Sequence, residues 1–169
     1  MSAELVGRRS ALKLGGMTAV GTVAAGAAVL APQVANAAGP FSFNTVAPYR
    51  AIDTIQFGLP KLRSGELDDW DLWTDVFGQA QIPSTAKAVT YNLTVTRTEG
   101  AAFLAIIPAN AGFGGISSIN WTTPNADIAN GGTVGLGHSG QTGPGSVKVI
   151  CGGVNAATQY IIDVTGYYG

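Results

Sequence analysis

Five carboxylates fall within ten residues in ELDDWDLWTD, where Glu66, Asp68, Asp69, Asp71 and Asp75 surround Trp70 and Trp73. Paired carboxylates are the machinery of glycoside hydrolysis, one giving a proton while the other attacks or activates water. Acids along a strand also make a wet edge that discourages sheet-to-sheet association, which is the plainer role for this cluster. An EF-hand calcium loop does not fit, because the fifth position from Asp69 is Trp73, where an oxygen ligand is required. His138 is the sole histidine and Cys151 the sole cysteine, too few for a three- or four-ligand zinc site. His138 sits in the glycine-rich stretch GLGHSGQTG, read as a solvated loop, and no serine is framed as a nucleophile elbow. Cys151, in SVKVICGG, reads as a small apolar core residue. No catalytic set, metal or organic cofactor is therefore expected.

The aromatic residues are the better candidates for contact with a ligand. Trp70, Trp73 and Trp121, together with Tyr167 and Tyr168, could form a platform on which sugar rings stack, with core packing as the competing fate.

Strands must position these groups. In AVTYNLTVT, Val89, Tyr91, Leu93 and Val95 alternate with Thr90, Asn92, Thr94 and Thr96, a period of two with one face buried and one wet. FLAIIP reads as a strand buried on both faces and stopped by Pro108. ISSINWTT and GGTVGLG read as further short strands. GSVKVICGG sets Val147, Val149 and Cys151 on one face, and TQYIIDVTGYY does the same with Tyr160, Ile162 and Val164. WDLWTDVFG also alternates, placing Trp70, Leu72 and Val76 together. These amount to about seven or more strands separated by Gly, Pro, Asn and Ser turns, the pattern of a single antiparallel β-sandwich. The density of glycine from Gly131 to Gly145 predicts a flexible or bulged loop between late strands, and no helix follows it to make a phosphate cradle.

The N-terminal segment carries an address. Arg8 and Arg9 in GRRSALKLGG form a twin-arginine signal, followed by an uncharged stretch from Leu14 to Ala31. QVANAAGP then offers Ala35 and Ala37 as an A-x-A pattern, with the cut placed between Ala37 and Ala38. The expected organisation is a signal peptide over residues 1–37, a short linker over 38–45 and the β-sandwich over 46–169. A retained membrane anchor is the alternative for the first of these. The leader carries Arg8, Arg9 and Lys13 against Glu4, so six basic and nine acidic residues remain behind it, a net charge of −3. That balance, without any basic cluster, excludes a phosphate-neutralising nucleic-acid surface.

PYRAIDT, AKAVTYNLTVT, GAAFLAIIPA, SSINWTTPNADIAN and IIDVTGYYG occur in the order seen in a functionally uncharacterised family of secreted bacterial β domains of actinobacterial type, which the chain resembles from about Val46 to Gly169. In that family P-x-R-x-x-D-T opens the unit and D-V-x-G-Y-[FY] closes it. By position the opening motif falls on Pro48, Arg50, Asp53 and Thr54, and the closing motif on Asp163, Val164, Gly166, Tyr167 and Tyr168. A second arginine common after D-T is Ile55 here. The resemblance implies a β fold and an extracellular or cell-surface location, and it implies no catalytic role. The residue types suggest that Arg50 clasps the first and last strands by bridging Asp53 and Asp163. The expected function is a secreted, non-catalytic module contacting cell wall, polysaccharide or a surface protein, with the membrane met only in transit. The alternatives are a self-assembling structural protein and a glycan hydrolase using the acids from Asp68 to Asp75.

Overall fold

In a computed structural model, residues 9–11 and 41–169 are described. They form two packed antiparallel sheets with no helix, a β-sandwich. The strands are β1 (Arg9–Ala11), β2 (Phe43–Asp53), β3 (Leu62–Arg63), β4 (Glu66–Asp71), β5 (Ala88–Glu99) and β6 (Ala102–Pro108). They continue with β7 (Ile119–Trp121), β8 (Ile128–Gly135), β9 (Gly137–Ser139), β10 (Gly143–Gly153) and β11 (Ala157–Tyr168). The first sheet runs β1-β4-β10-β6-β7, with β9 also on β10; the second runs β2-β11-β5-β8, with β3 also on β11. Arg8, the uncharged stretch and the cleavage residues Ala37 and Ala38 lie outside the described residues. No helix among the described residues is long and apolar enough to cross a membrane.

The two-residue period builds the core. Val89, Tyr91, Leu93 and Val95 of β5 and Tyr160, Ile162 and Val164 of β11 face inward from one sheet. Leu104, Ile106, Val147, Val149 and Cys151 meet them from the other. Their alternate neighbours on β5 (Thr90, Asn92, Thr94 and Thr96) are partly exposed on the outer face. In β6 the residues Leu104, Ala105, Ile106 and Ile107 are all buried, as a strand covered on both faces requires.

Three expectations about the strands need correction. WDLWTDVFG is a strand only as far as Asp71, because Asp71 Oδ1 accepts the Trp73 N–H at 2.7 Å and the chain turns there. The stretch of glycines is not a loose loop: most of it is strand, in β8, β9 and the start of β10, and His138 lies exposed within β9. Within ISSINWTT, only Ile119–Trp121 pairs with β6.

Candidate functional site

Among the register irregularities of the second sheet, one sets the position of Arg50. Ile162 lies opposite Ile52, but the next residue of β11, Asp163, lies opposite Arg50, leaving Ala51 as an extra residue in β2. Strict alternation would set Ala51 against Asp163 and turn Arg50 inward. The bulge instead re-aims Arg50 to the outer face, in one cross-strand row with Asp163 and Asn92.

Arg50 there joins two carboxylates. Its Nε donates to Asp163 Oδ1 at 2.9 Å and a terminal nitrogen donates to Asp53 Oδ2 at 3.1 Å. The hydrogen bond to Asp163 holds the guanidinium pKa above its usual value, against the opposing effect of partial burial. Asp53 uses its other oxygen to accept the backbone N–H groups of Ile55 and Gln56, both at 3.0 Å, capping the turn that follows β2. Thr54 Oγ1 completes the corner by accepting the Tyr160 N–H at 3.0 Å. The structure therefore brings the three clasp residues together across β2 and β11.

Beside this row is an open groove of about 540 Å³ lined by Pro48, Tyr49, Arg50, Gln56, Val76, Phe77, Asn92, Asp163 and Thr165. One wall is the turn over residues 74–80, closed by an isolated bridge between Thr74 and Ala80. Asp75 Oδ1 accepts the N–H groups of Phe77 and Gln79 at 2.9 Å each, and Gly78 supplies the positive φ of 77° that the turn needs. The Val76 N–H donates to the Arg50 carbonyl at 2.9 Å, docking the turn on β2. Phe77 is thereby held outward, 72% exposed, at the groove rim. Residue types did not single it out, because a lone aromatic in a turn has no periodicity; the local signal was the Asp-x-x-Gly frame that holds it.

The expected aromatic platform is corrected. Trp70 and Trp121 are 6% and 3% exposed, so neither offers a ring face to solvent. Trp70 packs beside Phe57 and donates its Nε1–H to the Tyr160 hydroxyl, which in turn donates to Asp68 Oδ2 at 2.7 Å. Trp73 is half-buried over Gly145, where a Cβ would come within 2.2 Å of the indole. Tyr167 packs half-buried against the core, and Tyr168 lies against Phe43 with ring centroids 5.2 Å apart.

The acidic cluster is dispersed rather than convergent. Asp68 is buried beneath Tyr160, Asp71 and Asp75 hold turns, and Glu66 accepts the Arg63 N–H at 2.9 Å. Burial raises the Asp69 and Asp71 pKa values, opposed by Lys148 for Asp69 and by the Trp73 N–H for Asp71. Burial also pushes the Cys151 thiol up to about 12, which leaves it protonated and unreactive at neutral pH. No group of metal-ligating side chains occurs among the described residues. No family model, curated protein or solved structure matches this chain.

Proposed function

We propose that the protein is a secreted, non-catalytic module that binds a neutral polysaccharide along the groove beside Arg50. One observation carries the reading: an exposed phenyl ring, Phe77, lines the same groove as a polar row whose amide and carboxylate come from Asn92 and Asp163, with the Thr165 hydroxyl also in the lining. A sugar presents both an apolar C–H face for a ring and hydroxyls for such a row. The groove is open along the sheet, which suits a polymer better than an enclosed small molecule. Arg50 already pairs with two carboxylates, so the trio carries a net charge of −1 and gives no attraction to a polyanion. The twin-arginine leader supports delivery outside the cytoplasmic membrane, where such polymers occur.

Titration of purified neutral secreted polysaccharides into the protein tests this. Saturable binding to one of them, reduced about tenfold or more in Phe77→Ala and Asn92→Ala with unchanged melting, is the expected result. Equal binding by the variants, or none by the wild type, would overturn it.

A further inference from the structure

The first sheet ends in an arrangement that the glycan groove does not use. Its edge is β1, only three residues long, set antiparallel on β4 with Arg9 opposite Asp68, Ser10 opposite Leu67 and Ala11 opposite Glu66. These three residues belong to the leader, and β4 is the last strand of the sheet contributed by residues 41–169. Four of the six residues of β4 are acidic: Glu66, Asp68, Asp69 and Asp71. Asp69 is 5% exposed, yet its Oδ1 has no hydrogen-bond partner among the described residues. The strand seated on this acidic edge begins at Arg9, the second arginine of the twin-arginine motif.

We infer that the outer edge of β4 is a strand-addition site, occupied by Arg9–Ala11 in the full-length chain and open, once the leader is removed, to an extended basic segment of a partner protein. This rests on leader cleavage and not on the glycan groove, so either proposal can fail alone. An edge strand presents unpaired N–H and C=O groups that a second extended chain satisfies. Side chains set the choice of partner. Pairing β4 with β4 of a second copy would bring acids against acids, a destabilising arrangement, whereas a basic strand can place a basic residue opposite an acidic one, the register that Arg9 takes on Asp68. The leader thus guards the edge until the protein reaches its destination.

The test uses the full chain with a protease site placed after Ala37. The folded protein is compared before and after cutting and removal of the leader, with a fluorescent peptide of residues 7–16, GRRSALKLGG, as probe. Saturable binding to the cut protein, at least about tenfold tighter than to the uncut protein, is expected. A peptide with both arginines changed to glutamate, and a peptide with proline in place of Ser10, should each lose that binding. Equal binding before and after cutting would overturn the proposal, as would no binding. Full binding of the proline peptide would also overturn it, because charge alone would then be at work. Loss of the β circular-dichroism spectrum on cutting would overturn it too, by making β1 an integral strand.

Discussion

At the level of single residues, Tyr160 links two buried polar groups inside the core. Its hydroxyl accepts from the Trp70 indole and donates to the Asp68 carboxylate at 2.7 Å, all within the packed interior. Tyr160→Phe keeps the ring and strips a donor from a buried carboxylate, so chemical denaturation should show a loss of about 1–3 kcal/mol. Arg50→Lys removes the fork between Asp53 and Asp163. Because that side chain is 43% exposed, solvent screens the pair, and the expected loss is only about 0.5–1 kcal/mol, a fall of a few degrees in Tm. Asp69 acts in the opposite sense. Burial raises its folded pKa above the unfolded value, so the stability from holding its proton is complete below the ordinary aspartate range and is lost as pH rises through the folded value. Asp69→Asn should accordingly melt higher than wild type near neutral pH, with the gain shrinking as pH falls toward about 4. A pH-independent difference in melting between the two would refute this.

Among the strands, pattern and structure agree where a face is plainly half-buried. The nine residues read as alternating in AVTYNLTVT lie inside β5, and Pro108 ends β6. Tyr160, Ile162 and Val164 point inward as their spacing requires. What the pattern could not reveal were features set by partners distant in the chain. The bulge at Ala51 depends on register with β11, and in a chain that keeps Ala51, Arg50 could not lie beside Asp163 and Asn92 without it. The burial of Trp70 and Trp121 was equally hidden, since an aromatic residue has the same local signature whether it faces a ligand or a core. Deleting Ala51 removes the extra residue and should leave Arg50 opposite Asp163 on the outer face of a regular ladder, with a cooperative melt retained; loss of that melt would show that the bend of the bulge is itself required. Gly145 is a second such point: its φ is 82° and an added Cβ would meet the Trp73 ring. Gly145→Ala should therefore cost about 1–3 kcal/mol by thermal or urea unfolding, well beyond an ordinary surface exchange.

For the whole molecule, strand order departs strongly from chain order. β11 sits between β2 and β5, so the middle of the second sheet is filled by the last strand. Such non-local pairing predicts folding in about milliseconds to seconds rather than microseconds. It also predicts that a chain ending at Val154, which lacks β11, shows no cooperative unfolding transition. In the intact protein, amide exchange should be slowest in β5 and β11, which are paired on both sides, and faster in the edge strand β8. Uniform exchange rates across these strands would contradict that ranking.

The start of β2 and the end of β11 are also tied together. Ser42 and Gly169 exchange two backbone hydrogen bonds, Ser42 N–H to the Gly169 carbonyl at 3.2 Å and Gly169 N–H to the Ser42 carbonyl at 3.3 Å. Tension applied at these two residues would load the antiparallel ladder at its tip, opening one rung at a time instead of shearing many together. The domain is therefore built to yield under a stretching force, and a short peptide joining the two points would close the chain into a circle with little distortion.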